Sequence, residues 1–251
     1  MRTAVAVLVL LAAPAALAAD ADGWSGGAGL SYSTGDYGTS RTTRIWSVPF
    51  ALRYDSAPWA FKLTLPWYEI SGDSSVVPGL GAVDRPGRRG AGTSGFGDLT
   101  VAATNSSFYD SASRSGVDFT GKVKLPTGEE AKGLSSGSTE LSFLADAHKG
   151  IDRLTLFGGL GYTVFLGGNL DLRDAVSVSL GLSHKLDERD SLGVAYEGRS
   201  RVANSAGQQS ELMVFWSRAV DRSLKLQAYF LRGFADGSPD WAAGVSFMHA
   251  F

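Results

Sequence analysis

Residues 242–251, AAGVSFMHAF, end the chain on a bare phenylalanine, with apolar residues stepping back from it at every second position. Phe251, Phe247, Val245, Ala243 and Trp241 fall on one side of an extended strand, and only His249 interrupts the series. The other side carries Ala250, Met248, Ser246, Gly244 and Ala242, all small except Met248. Two kinds of strand give this pattern. One buries a single face in a soluble core; the other is the last strand of a barrel whose outside meets lipid. The rest of the chain must choose between them.

The other end narrows the choice. MRTAVAVLVLLAAPAALAADAD carries one positive charge at Arg2, then an uninterrupted apolar stretch from Ala4 that closes on Ala16-Leu17-Ala18. This is the form of a secretory signal peptide, residues 1–18, cleaved after Ala18 or next to it. Pro14 and the run of alanines make a weak membrane span, and no basic stop-transfer cluster follows. The mature chain, 19–251, has lost Arg2 and no acid, so 22 bases face 25 acids, a net charge of −3. Such a mild imbalance points to no nucleic-acid partner. The absence of cysteine excludes disulfides and thiolate metal sites. Beyond the signal no run of 18 apolar residues occurs, so a membrane form of this chain crosses as strands.

Alternation recurs along the whole mature chain. RIWSVPFALRYD sets Trp46, Val48, Phe50, Leu52 and Tyr54 against Ser47, Pro49, Ala51 and Arg53. WAFKLTLPWYEI, GVDFTGKVKLP and AVSVSLGLSHKL repeat this period of two. Glycine is abundant, with 32 residues, and helix-favouring stretches are hard to find. About twelve strands are expected, beginning near Trp24, Thr43, Trp59, Gly95, Gly116, Thr139, Arg153, Asp174, Ser191, Ser210, Ser223 and Trp241. Their connections alternate in length. DSAP, DSASRSG, KGID, DERD and DR are short; the 71–94 stretch, TGEEAKGLSSGS, GGNLDLRD, ANSAGQQ and FADGSPD are generally longer.

Short turns on one side and long loops on the other describe a transmembrane antiparallel β-barrel with periplasmic turns and extracellular loops. An even strand number returns both termini to the periplasm. The rival, a soluble barrel or sandwich, needs a strongly polar outer face; here the second face is mostly glycine, alanine, serine and threonine with scattered charges, which suits a lumen. Residues 19–251 are therefore expected to form one outer-membrane barrel, with membrane lipid and lipopolysaccharide as surroundings. The terminal Phe251 resembles the C-terminal signal of outer-membrane proteins, which implies the barrel-assembly machinery as a partner.

With the aromatic face toward lipid, the charges directed inward are Arg53, Lys62, Asp98, Asp118, Lys122, Lys124, Glu140, Asp146, Glu197, Arg199, Arg201, Glu211 and Lys225. Threading the hairpins brings Asp98, Lys124 and Glu140 to the outer end on three successive strands, and places Arg201 and Glu211 at the two sides of one loop. Asp98, Lys122, Lys124, Glu140, Glu197, Arg199, Arg201 and Glu211 are the candidates for a constriction. Opposite charges on neighbouring strands should pair, so a selective constriction and a structural network are both open readings. Phe157, Phe165, Phe215 and Tyr229 point inward as well, as solute contacts or as packing filler. In the long loop, Arg85, Arg88 and Arg89 are solvated charges or contacts for lipopolysaccharide phosphates.

Catalysis has little support in the sequence. Only three histidines exist, none in a long outside loop, and although Asp146 and His148 share a face, no nucleophile completes a site with them. No nucleotide, metal or redox cofactor is implied.

Two stretches together resemble a family of proteobacterial outer-membrane proteins named after the meta-pathway of phenol degradation. They are GFGDLTVAA (Gly95 to Ala103) and KVKLPTGEEAKGLSSGS (Lys122 to Ser138), with Gly95, Gly97, Asp98, Leu125, Pro126, Thr127 and Gly128 at the matching positions. The resemblance implies an outer-membrane channel or transporter for passive uptake of small aromatic or other hydrophobic solutes. The alternative is a non-transporting structural or adhesive barrel with a closed, salt-bridged lumen.

Overall fold

The structure is a computed structural model and describes residues 22–83 and 92–251. The leader and Arg85, Arg88 and Arg89 lie outside the described residues. Twelve strands form the wall: β1 (Gly23–Gly35), β2 (Thr43–Ser56), β3 (Trp59–Ser71), β4 in two parts (Gly92–Phe96 and Leu99–Asp110), β5 (Ser115–Leu125) and β6 (Thr139–Ile151). They continue as β7 (Leu154–Leu166), β8 (Ala175–Lys185), β9 (Asp190–Arg199), β10 (Gln209–Ala219), β11 (Leu224–Gly233) and β12 (Trp241–Ala250). Each pairs antiparallel with the next, and β12 returns to β1, with Ser25 opposite Ala250 and Thr34 opposite Trp241. Closure leaves no unpaired strand edge, the condition for a sheet to sit in hydrocarbon.

The alternation has the expected physical cause. On the outer face Leu160 and Leu180 are 65% and 66% exposed, as a lipid-facing surface requires and a soluble protein of this size would avoid. Aromatic rings collect at the two rims. Trp24 and Tyr54 sit 4.9 Å apart at the periplasmic rim, and Tyr32 lies 4.8 Å from Trp46 and 5.3 Å from Trp241 at the outer one. Eleven of the strands begin within one residue of the expected starts; β4 begins at Gly92 instead of near Gly95.

The periplasmic turns are local devices. Asp110, Asp187 and Asp221 each open a turn and accept backbone N–H bonds from two or three residues further on, at 2.7–3.2 Å. This is the hydrogen bonding for which aspartate is favoured at turn starts. β4 is interrupted for an equally local reason. Pro66 on β3 has no N–H to continue the ladder. Pairing runs from Trp67–Phe96 on one side of the break to Thr64–Thr100 on the other, with Gly97 donating to the Pro66 carbonyl at 2.8 Å.

Candidate functional site: the lumen and its plug

Seven of the eight constriction candidates line one internal cavity of about 340 Å³: Asp98, Lys122, Lys124, Glu140, Glu197, Arg199 and Glu211. The eighth, Arg201, does not. β9 ends at Arg199, and Ser200 N–H turns to the Val176 carbonyl at 2.9 Å, so the alternating series is broken before it reaches Arg201, which is exposed. Lys62 and Asp146 line the same cavity, with hydroxyls from Ser31, Ser33, Thr64, Thr100, Ser142 and Thr163. Ion pairing is partial. Lys124 pairs with Glu140 directly across β5 and β6. Nearer the periplasm Arg53 grips Asp55 with Nε 2.8 Å from Oδ2 and Nη2 2.6 Å from Oδ1.

Part of the lumen is filled. Ala195, Met213, Phe215, Tyr229, Leu231 and Ala242 pack into a buried cluster against the inner wall of β9–β12, with Phe157 of β7 against it. Phe215 and Tyr229 are thus packing, while Phe157 both packs and faces the cavity. Phe165 packs higher, among the loops.

The outer mouth is occupied by the loop after β3. Val76–Val77 and Gly81–Ala82 form a short ladder whose tip is Val77-Pro78-Gly79-Leu80. Leu80 N–H bonds the Val77 carbonyl at 3.1 Å and Gly79 has φ of 82°. Proline followed by a residue of positive φ is the requirement of a type II turn, and glycine meets it without strain. Val77, Leu80 and Val83 pack on Ala175, Val202, Ala203 and Ala206, and Val76 packs with Tyr37, Ile45, Tyr68, Ile70 and Leu134. Pro78 and Gly79 reach the cavity, and there Arg199 Nη2 donates to the Gly79 carbonyl at 2.7 Å. This segment is therefore a plug: apolar along its sides, and tied at its tip to a lumen arginine. Tyr37 beside it donates to Ser33 Oγ at 3.0 Å, and burial pushes its phenol well above the ordinary range.

The motif residues meet in space at the break in β4. Leu99 N–H donates to Thr127 Oγ1 at 2.8 Å, Thr127 Oγ1 donates to the Gly97 carbonyl at 3.3 Å, and Gly128 N–H donates to Asp98 Oδ1 at 3.0 Å. A Cβ on Gly97 would stand 2.5 Å from the Tyr68 ring, so only glycine passes there. The two halves of the motif thus form one clasp. It folds the loop after β5 over the mouth, seating Leu134 beside the plug. Asp98 spends one carboxylate oxygen on this clasp. The plug and clasp were hidden in the sequence, although VVPGL, an apolar run around a Pro-Gly turn inside a polar loop, was a signal for the first.

His148 stands 3.8 Å from Asp118 Oδ2 and stacks on Tyr109 at 5.9 Å; among the described residues it bonds no serine. No cluster of three His, Asp or Glu side chains suited to a metal ion occurs among the described residues. Phe251 is exposed at the periplasmic end, its N–H bonded to the Trp24 carbonyl at 3.0 Å.

A closed barrel with a lipid-facing exterior and a charged lumen defines the class, an outer-membrane β-barrel. The chain belongs to the family described as "Putative MetA-pathway of phenol degradation", which matches residues 33–251. Among solved structures it is similar to an outer-membrane channel from Pseudomonas putida F1, with TM-score 0.72 and 15% identity over 92% of this chain and 96% of that one. The KdgM porin is similar at TM-score 0.54 and 9% identity, over 90% of this chain and 99% of that one. So is the translocator domain of the autotransporter NalP from Neisseria meningitidis, at TM-score 0.54 and 11% identity, over 94% and 91%. No curated protein matches. A channel, a porin and a translocator domain share the fold, so function has to be argued from the lumen.

Proposed function

We propose that the protein is a gated outer-membrane channel for passive uptake of small solutes with an aromatic or other apolar body. The cavity carries this reading: about 340 Å³ of internal space lined by charges and hydroxyls, at the lower end of the size of small-ligand pockets. A barrel of purely structural purpose has no need to keep that space. The plug is the gate. It leaves when its apolar contacts and the Arg199–Gly79 hydrogen bond are given up, and no strand of the wall has to move. Phe157 gives an aromatic surface beside the charges, and movement down a gradient needs no cofactor. Phe251 is then the residue the barrel-assembly machinery reads, since its ring is exposed at the periplasmic end.

The second reading is a barrel that stays closed and serves as a structural or adhesive protein. The deep burial of Val76, Val77, Leu80 and Val83 and the Lys124–Glu140 and Arg53–Asp55 pairs favour it. Conductance of the refolded protein in a planar lipid bilayer, with benzoate-like solutes added to one side, separates the two. Discrete steps that the solute blocks are expected. Silence from a protein shown to be folded by its heat-dependent gel mobility would sink the channel.

A further inference from the structure

The bases that line the cavity differ in what holds them. Lys124 is paired with Glu140, and Arg199 bonds the plug with Glu140, Glu211 and Glu197 around it. Lys122 has Glu140 and Glu197 nearby. Lys62 has no acid. Among the described residues it makes no ion pair, and the charges that act on it, Arg53 and Lys122, are both cations. Register explains this: Arg53, Lys62, Ala102 and Lys122 stand side by side on β2, β3, β4 and β5. Arg53 lies directly opposite Lys62, but its guanidinium is already committed to Asp55. The β3 side of the cavity thus carries positive charge that no acid among the described residues answers. An unanswered charge away from bulk water is costly, and a bound anion removes the cost.

We propose that Lys62 is the anion contact of the lumen and takes the carboxylate of a small solute whose remaining body is apolar. The inference rests on the channel reading and specifies its solute. The anion is a monoanion, because one ammonium is on offer and Glu140 and Glu197 in the same cavity repel a second negative charge. Leu144 and Phe157 supply apolar wall for the body, and Thr64, two residues along β3 from Lys62, offers a hydroxyl on the same face. The volume admits a single-ring acid and no oligomer.

Wild type, Lys62→Gln and Lys62→Met are refolded into planar bilayers at pH 6, and block by benzoate, benzamide and benzylammonium is compared. Benzoate is expected to block at concentrations about tenfold below benzamide, and either Lys62 variant to erase that preference. Lys225→Gln, a change at a strand position outside the cavity lining, should keep it. Equal block by benzamide, a preference that survives in the Lys62 variants, or an equal loss in Lys225→Gln overturns the proposal; the last would mean a diffuse field in place of a contact. If the folded barrel conducts nothing, the channel reading fails alone. Calorimetric titration of benzoate into the detergent-solubilised barrel then decides the subsite: heat lost in Lys62→Gln supports it, and absent or unchanged heat ends it.

Discussion

The two ends of this barrel are built on different principles. At the periplasmic end five short turns join the strands, and Asp110, Asp187 and Asp221 close three of them with bonds to residues two or three positions away. At the outer end the loops bury side chains that are far apart in sequence: Val77 against Val202, Val76 against Tyr37 and Leu134, Arg199 against Gly79. One end is local chemistry repeated; the other is a small core. A turn of the first kind tolerates change because nothing else depends on it. A core of the second kind can come loose as a unit, as a gate requires.

Five substitutions break or sharpen this contrast, in decreasing order of effect. Leu80→Asp places a carboxylate among Val77, Val83 and Val202, at a cost of about 3 kcal/mol or more. The plug should be expelled, with conductance raised several-fold while heat-dependent gel mobility stays normal; an unchanged conductance would show that something else closes the mouth. Gly97→Val drives a side chain into the Tyr68 ring and should cost about 2 kcal/mol, read as a lower urea midpoint for unfolding in micelles. Arg199→Lys keeps the charge but loses the fork that reaches Gly79. About 1 kcal/mol less hold on the plug should lengthen open times a few-fold in single-channel records.

The smallest effect belongs to the turns. The N–H groups of Asp190 and Arg189 hold the Asp187 carboxyl below the ordinary carboxylate range, and those of Ser223 and Leu224 do the same for Asp221. A folded value below the unfolded one, which is about 3.9, means stabilisation that is complete above that pH and is lost as pH falls through the folded value. Asp187→Ala and Asp221→Ala should therefore lower the unfolding midpoint slightly at pH 7, and by progressively less as the pH falls below the ordinary carboxylate range. A deficit that persists unchanged at pH 2 would assign the loss to something other than the ionised carboxylates.

The same contrast decides what could be read in advance. The wall was legible because its first signal, a period of two, acts over a few residues, and its second, the alternation of short and long connections, needs only their lengths. Parity failed where a strand stopped: continuing Glu197 and Arg199 to Arg201 assumed a β9 two residues longer than the ladder to β8 supports. It failed again at β4, where Pro66, on another strand, sets the break that moves the start to Gly92. The lumen charges followed from the alternation, but their division into paired and unpaired did not. Lys62 differs from Lys124 only in which residues face it across the sheet. The glycines and Thr127 of the motif were visible as a resemblance, and their cause, a clasp between segments some thirty residues apart, was not.

The seam between β1 and β12 has a kinetic consequence. Ser25 lies opposite Ala250, so the pairing that completes the cylinder joins the first strand of the wall to the last. Long-range pairing of this kind is slow, because the entropy of closing the loop must be met before any contact rewards it. β12, the last strand of the wall to be made, is therefore needed before the cylinder can close. Until β12 is made, the edge of β1 stays open to pairing with other chains.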